Sequence, residues 1–178
     1  MLKDKFSLKE MIYISLLATT ATVSKVPIRA LSIFLTSSVG LPAGIVGGVY
    51  YMFWIVAACA VVKKHGTATL FCIIQIFVSM ITSSMPIIML ITYLPPGIAI
   101  DLFLIAWGSR EFNKTIYMIL GAIANIAGAI TMAVLIMQLP LIPTMVSAFT
   151  SGVSGAAGGY CAFLIVKRIN LSVIAHAN

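Results

Sequence analysis

The sequence predicts an all-α polytopic membrane protein, a compact bundle of six transmembrane helices in one domain covering residues 1–178. Of the 178 residues, 61% are hydrophobic and 8% are charged, and the mean hydropathy is +1.13. Soluble domains carry about 25% charged residues, so this composition excludes a water-soluble fold. A helical crossing of the bilayer needs about 20 predominantly apolar residues, which leaves room for six crossings with short connections.

Six apolar segments follow one another along the chain, and each ends where charge, proline or glycine interrupts it. The first follows a charged N-terminal stretch and lacks a small-residue cleavage site, so we interpret it as a retained helix rather than a secretory signal. Residues 27–40 either extend this helix or form a loop. The predicted helices cover about residues 11–26, 41–62, 67–83, 87–107, 116–139 and 145–166.

The basic residues indicate the orientation of these helices. Only Lys25 and Arg29 fall on the external side if the N-terminus is cytoplasmic. The cytoplasmic side then holds Lys3, Lys5, Lys9, Lys63, Lys64, Arg110, Lys114, Lys167 and Arg168. Cytoplasmic loops carry an excess of lysine and arginine, so we predict a multi-pass protein of the cell (plasma) membrane with both termini in the cytoplasm. The formal charge of +7 then reflects topology and not a nucleic-acid partner.

Asp101 is the first candidate for a substrate contact, because it lies within the fourth apolar segment. A carboxylate at membrane depth is costly unless it faces a cavity or a partner. The alternatives are a pairing with Arg110 or a loop lysine, or contact with another protein. Pro95-Pro96-Gly97 precedes Asp101 and should interrupt the helix, and the freed backbone groups then either bind a ligand or are satisfied by neighbouring helices.

Aromatic and amide side chains supply the other predicted substrate contacts. The second helix carries Tyr50, Tyr51 and Trp54 beside a glycine pair, and such side chains suit a planar heterocycle. An interfacial aromatic belt is the alternative for the two tyrosines. Gln75 and Asn125 place amides in the apolar third and fifth helices, where each needs a hydrogen-bonding partner from a substrate or a neighbouring helix.

Small residues recur on one face of the first helix, where Ala18, Ala21 and Thr22 approximate a small-xxx-small spacing. Such faces allow helices to approach closely. This face is therefore predicted either to pack within the bundle or to dock a second membrane protein. The glycines and alanines of the fifth and sixth helices are interpreted as intramolecular packing.

The sequence lacks the patterns that carry catalysis or energy coupling. His65 and His176 stand apart from cysteines and carboxylates, and no glycine-rich phosphate loop followed by Lys-Ser or Lys-Thr occurs. Four acidic residues are too few for a proton relay or an ion filter. Three cysteines without metal-site spacing are expected to be reduced, buried thiols: Cys59, Cys72 and Cys161. We therefore expect a protein that is not an enzyme and that holds no metal or cofactor.

A small six-helix protein with basic cytoplasmic loops, no energy source of its own and a small-residue first helix resembles the substrate-binding S component of an energy-coupling factor (ECF) vitamin transporter. Residues 42–70, with Tyr50, Trp54 and the run Val62-Lys63-Lys64-His65-Gly66-Thr67-Ala68, are similar to the YkoE-type S components linked to thiamine or its hydroxymethylpyrimidine precursor. In that group an aromatic-rich second helix ends in a basic pair and a glycine. The fourth helix, with Gly97 and Asp101 before Trp107, also resembles the group.

The resemblance implies a high-affinity capture subunit of an ABC importer that binds a vitamin-like small molecule in an outward-facing pocket closed by external loops. It implies two kinds of partner besides the lipid bilayer: a transmembrane coupling subunit that docks on the first helix, and two cytoplasmic ATPases. The predicted pocket residues are Asp101, as acceptor or counter-charge, with Trp54, Tyr51, Gln75 and Asn125.

The cargo implied by the resemblance is hydroxymethylpyrimidine or thiamine, and two alternatives stay open. The acidic residues that the group carries in its second and third helices have no counterpart in residues 43–51 and 70–83. A neutral pyrimidine or another micronutrient is therefore a candidate beside thiamine. The alternative of a different class is a non-transporting structural subunit of a membrane complex.

Overall fold

The computed structural model describes residues 6–37, 44–82, 86–108 and 111–176. Every regular element in these ranges is helical, which confirms the predicted all-α class. Lys3, Lys5 and Arg110, which entered the topology prediction, lie outside the described residues. The helices are α1 Leu8–Ser37, α2 Gly44–Val62, α3 Thr67–Thr82, α4 Ile87–Ile91, α5 Leu94–Trp107, α6 Lys114–Thr131 and α7 Leu141–His176, and a π-helical turn, Met132–Ile136, follows α6.

Part of the helical structure has the length of membrane-spanning elements, and the outside of the bundle has the matching apolar surface. Three stretches are long and apolar enough to cross a bilayer: Ile87–Trp107, Lys114–Ile136 and Leu141–Ile169. Gly47–Val62 and Thr67–Thr82 are apolar but shorter. Large apolar side chains cover the outside of the bundle; Ile81 is 86% exposed and Phe149 is 74% exposed. Because soluble monomers rarely expose extensive apolar surface, the protein is a multi-pass membrane protein.

Two helices extend well beyond the predicted segments. α1 continues past residue 26 through Pro27 to Ser37, which is the extension that was one of the two alternatives for residues 27–40, since a proline inside a helix removes one hydrogen bond without necessarily ending the helix. Its first turn is closed by Glu10, whose carboxylate accepts a 2.7 Å hydrogen bond from the backbone N–H of Ser7. α7 runs from Leu141 to His176, beyond the predicted residues 145–166.

The fourth apolar segment is interrupted, as Pro95-Pro96-Gly97 predicted, but the break comes just before the prolines. α4 ends at Ile91, and residues 92–93 form a turn before α5 begins at Leu94. The two prolines then occupy the first turn of α5, where the missing N–H groups have no partner in any helix. The chain is therefore interrupted without leaving a proline in mid-helix.

Glycines bring α7 into backbone contact with α6 and α2. A methyl group at Gly159 would overlap the Tyr117 carbonyl oxygen of α6, and one at Gly158 would overlap the Val49 carbonyl oxygen of α2. Packing this close is possible only without side chains at the contact. The small residues of α6 and α7, which correspond to the predicted fifth and sixth helices, therefore pack within the molecule, as predicted.

Candidate functional site

A cavity of about 160 Å³ lies between the helices, beside the turn that joins α4 to α5. Its walls combine one basic, two tyrosyl, two amide and several apolar side chains from α1, α2, α3, α5 and α6. The lining residues are Lys25, Tyr51, Met52, Ile55, Cys72, Gln75, Thr92, Tyr93, Pro96, Asn125, Gly128 and Met132. Met132 opens the π-helical turn, and π-helical segments occur frequently at functional sites.

Three of the five predicted pocket residues, Tyr51, Gln75 and Asn125, line this cavity. Gln75 is buried, and its Oε1 accepts a hydrogen bond from Lys25 Nζ at 3.4 Å. Asn125 Nδ2 donates to the Ser151 carbonyl oxygen at 2.8 Å and to Ser154 Oγ at 3.2 Å, so this amide also ties α6 to α7. Asn125 thus combines the helix-linking role with a place in the cavity wall, and its Oδ1 remains an acceptor.

Trp54 is not one of the residues that line the cavity. Its ring packs edge-on against Tyr50 and Phe53, with ring centroids 6.1 and 5.1 Å away. The indole Nε1 is buried and has no hydrogen-bond partner among the described residues. Trp54 therefore belongs to an aromatic cluster on α2, next to Tyr51, whose ring also packs edge-on against Tyr50 at 6.1 Å.

Asp101 does not line the cavity either; its carboxylate caps the N-terminus of α3. Oδ1 accepts from the backbone N–H of Gly66 at 3.1 Å and of Ala68 at 3.4 Å. Oδ2 accepts from the backbone N–H of Thr69 at 2.8 Å and from its hydroxyl at 2.5 Å. The first N–H groups of a helix lack intrahelical partners and carry partial positive charge, so this carboxylate joins α5 to α3. The geometry thus differs from the predicted substrate contact, and the alternative pairing with Arg110 lies outside the described residues.

The small face of α1 points into the fold. Ala18, Ala21 and Thr22 are buried, and the Thr22 hydroxyl donates to the Ala18 carbonyl oxygen at 2.8 Å. The opposite face, with Leu16 and Val23, is exposed. The structure therefore gives the predicted docking residues the packing role that was their alternative, and the surface that α1 offers to a neighbour is apolar.

Among the described residues, Lys25 is the one ionisable amine of the cavity wall, and its sequence position pointed only to topology. Besides the contact with Gln75, its Nζ lies 4.2 Å from the ring centroid of Tyr93 and 5.0 Å from that of Tyr51. Both distances are within the range of cation–π attraction. The ammonium group is therefore held between two aromatic rings and an amide oxygen.

Residues 9–127 of the chain match the family described as ABC-type cobalt transport system, permease component. The match covers well over half of the chain. The protein belongs to this family of permease components. No curated protein and no solved structure gives a match. The matched range contains Lys25, Tyr51, Gln75, Tyr93 and Asn125 and ends just before Gly128 and Met132.

The cavity of this permease component offers several groups that can bind a small molecule. It provides one cation, the faces of two tyrosines, the amides of Gln75 and Asn125, and the hydroxyl of Thr92. Within the described ranges, no three His, Cys, Asp or Glu side chains are grouped as they would be to hold a metal ion. Such a wall suits a small organic molecule held by stacking and hydrogen bonds.

The sequence of the permease component contains a signal for the position of Lys25 besides its charge. Lys25 follows Thr22 by three residues, Ala21 by four and Ala18 by seven. Residues at these intervals share one face of a helix. A lysine in register with the small residues of α1 therefore faces the same side as they do, and the structure shows that this side is the bundle interior. The turn residues Thr92 and Tyr93 had no such signal, because their place depends on where α4 ends.

Proposed function

We propose that this chain is the high-affinity substrate-capture component of an ECF-type ABC importer, and that its cargo is a vitamin or vitamin precursor of about one ring. The observation that carries the proposal is the cavity of about 160 Å³ lined by Tyr51, Gln75, Tyr93 and Asn125. A cavity of about 150 Å³ holds a benzene molecule, so a single-ring compound fits this space. The two tyrosines provide the aromatic surface, and the amides provide the hydrogen bonds that fix its orientation.

Membership of an ABC-type transport family supports an importer role. The sequence supports a role in which other subunits of the importer hydrolyse ATP. The chain has no phosphate-binding loop of the kind that ATPases use. Energy therefore comes from partner subunits, which we propose to be two cytoplasmic ATPases and a transmembrane coupling subunit. The exposed apolar face of α1 is a surface that a second membrane protein could cover.

Between the two cargoes named by the resemblance, the cavity favours hydroxymethylpyrimidine over thiamine. Lys25 Nζ occupies the wall, and a cationic thiazolium ring beside an ammonium group in a low-dielectric interior is repelled. The aminopyrimidine ring of hydroxymethylpyrimidine carries ring nitrogens and an amino group that can pair with the amides of Gln75 and Asn125. An uncharged or anionic micronutrient is thus better supported than a cationic one.

Cobalt is the second candidate cargo, because the family description names it. The cavity contains the thiol of Cys72 and the thioethers of Met52 and Met132, which are soft metal ligands. The ammonium group of Lys25 opposes a divalent cation at the same place. The cavity thus supports an organic cargo better than a bare metal ion.

Thermal-shift titration of the purified protein in lipid nanodiscs tests the proposal, with hydroxymethylpyrimidine, thiamine, nicotinate, pantothenate and cobalt chloride as ligands. We expect an organic compound to raise the melting temperature. Gly128→Ile, which fills the cavity from α6, should abolish this shift, whereas Ile130→Phe on the exposed face of the same helix should keep it.

Two outcomes would contradict the proposal. A shift with cobalt chloride that Gly128→Ile removes would assign cobalt transport to this cavity. Native mass spectrometry that finds no small molecule on the protein, together with no shift for any ligand, would favour a structural subunit of a membrane complex.

A further inference from the structure

The contacts of Lys25 leave part of its charge uncompensated. An ammonium group has three N–H donors, and the described residues provide one oxygen acceptor, Gln75 Oε1, at 3.4 Å. Charge-assisted hydrogen bonds are usually 2.7–2.9 Å long, as a rough guide, so this contact is a weak one. The faces of Tyr93 and Tyr51 attract the cation, whose Nζ lies 4.2 and 5.0 Å from their ring centroids, but they supply no full counter-charge.

The carboxylates of the described residues are engaged elsewhere. Glu10 pairs with Lys64 at 2.8 Å, Asp101 caps α3, and Glu111 lies exposed in the connection before α6. No ion pair of Lys25 occurs in the described part of the chain. A charged side chain within a membrane bundle is costly unless it meets an opposite charge or water, and Lys25 instead borders an open volume.

We infer that the preferred cargo carries an anionic group, a carboxylate or a phosphate, which binds Lys25 Nζ in this cavity. The inference rests on the proposed function and specifies the cargo: a single-ring compound whose ring lies against Tyr51 or Tyr93. The anion supplies the short, charge-assisted hydrogen bonds that Gln75 Oε1 does not. Gln75 then remains free to orient the ring through its amide nitrogen.

This arrangement also explains why a lysine is tolerated in the wall of an aromatic pocket. In the empty protein the two tyrosine rings stabilise the ammonium group by cation–π attraction, which is strongest where water is excluded. When the anion enters, the same lysine gains a full counter-charge without a change in the fold. Binding energy thus comes from a charge that is already in position.

The test begins with the compound that the full-length protein retains. The wild type is purified in nanodiscs from cells grown in rich medium, extracted with methanol, and analysed by mass spectrometry against a Lys25→Met preparation. We expect an enriched compound with a carboxylate or phosphate in the wild type, and its absence from Lys25→Met. The fragmentation pattern of the enriched compound distinguishes a carboxylate from a phosphate.

Affinity measurements with that compound and its uncharged ester complete the test. Lys25→Met should weaken binding of the anion by about 100-fold, because a buried charge partner is removed, whereas Lys25→Arg keeps the charge and should bind more tightly than Lys25→Met. The ester should bind the wild type and Lys25→Met equally. If Lys25→Met fails to fold, Lys25→Gln replaces it as the variant without the positive charge. Ile130→Phe is the control, and we expect it to bind with wild-type affinity.

The results that would overturn the inference differ from those that would overturn the proposed function. An enriched compound without an anionic group, or equal affinity in the wild type and Lys25→Met, overturns the inference and leaves the capture role standing. A wild-type preparation that retains no organic compound, or that retains cobalt in its place, overturns the proposed function and the inference with it.

Discussion

Asp101 and Lys25 are both charged residues inside the helical bundle, but the fold satisfies them to very different degrees. The carboxylate of Asp101 accepts four hydrogen bonds, three from backbone N–H groups and one from the Thr69 hydroxyl. The ammonium group of Lys25 makes one long hydrogen bond, to an amide oxygen, and two contacts with aromatic rings. The two sites lie close together, since a Cβ added at Gly97 of α5 would overlap both the Ala68 carbonyl oxygen and Cys72 Sγ of the cavity wall.

On the proposal made above, the difference separates a structural charge, Asp101, from a charge that binds the cargo, Lys25. A fully satisfied buried charge stabilises the arrangement of the groups around it and has no capacity left for a ligand. An incompletely satisfied charge beside a cavity retains that capacity. The residue type and its membrane depth are therefore weaker guides to function than the count of its partners.

The largest effect on stability is expected from Asp101→Ala. Three backbone N–H groups at the start of α3 would lose their acceptor, and unsatisfied buried donors of this kind should lower the free energy of unfolding by about 3 kcal/mol. Thermal denaturation in detergent, with ligand binding measured at a temperature where the variant is folded, checks this. Asp101→Asn keeps one acceptor oxygen and should lose about half as much.

The opposite result would reverse the comparison. If Asp101→Ala melted with the wild type but no longer bound the cargo, the carboxylate would be a substrate ligand, as the sequence alone suggested. The hydrogen bonds to α3 would then be a feature of the empty protein only.

Gly97→Ala should have the second largest effect, because this position lies between the two sites. A Cβ there would be 2.7 Å from the Ala68 carbonyl oxygen and 2.8 Å from Cys72 Sγ. Such overpacking typically costs about 2 kcal/mol, and the displaced α5 would disturb the cavity as well. Gly128→Ala is the matched control: its Cβ would be 3.2 Å from Pro96 Cγ, so it should narrow the cavity with little loss of stability. Equal melting temperatures for Gly97→Ala and the wild type would show that α5 is not held tightly against α3.

Composition was sufficient to predict the helical membrane class, because no other fold can accommodate so apolar a sequence. The ends of α1 and α7 were not predictable in the same way. Proline at position 27 is compatible with a helix end or with a continued helix, so the sequence left both open, and the fold continues the helix and accepts the lost hydrogen bond. Charge counting predicted cytoplasmic termini, which remains a prediction.

The candidate site was predictable in part. Tyr51, Gln75 and Asn125 were identified by their chemistry in apolar surroundings, and all three line the cavity. Asp101 was identified by the same rule but caps a helix, because the rule does not reveal which neighbours satisfy a buried charge. Lys25 was missed because a lysine near a helix end is usually explained by topology.

Thr69→Val should lower the stability less than Asp101→Ala or Gly97→Ala does. It removes the hydroxyl that donates to Asp101 Oδ2 at 2.5 Å and keeps the shape of the side chain. The carboxylate retains its three backbone donors, so a loss of about 1 kcal/mol in the free energy of unfolding is expected. Thr69→Ser retains the hydroxyl and should melt close to the wild type. A loss as large as that of Asp101→Ala would show that the hydroxyl, and not the helix N-terminus, holds the carboxylate.

Lys25→Met should have the smallest effect on stability, and it tests the comparison most directly. The variant loses one long hydrogen bond and two cation–π contacts, which together stabilise by about 1–2 kcal/mol, but it also loses the cost of keeping an uncompensated charge within the bundle. These contributions nearly cancel, so thermal denaturation of the empty protein should give the wild-type melting temperature or a slightly higher one. A fall as large as that of Asp101→Ala would mean that the fold depends on Lys25 as it does on Asp101. Both charges would then be structural, and the cavity would bind its cargo through tyrosines and amides alone.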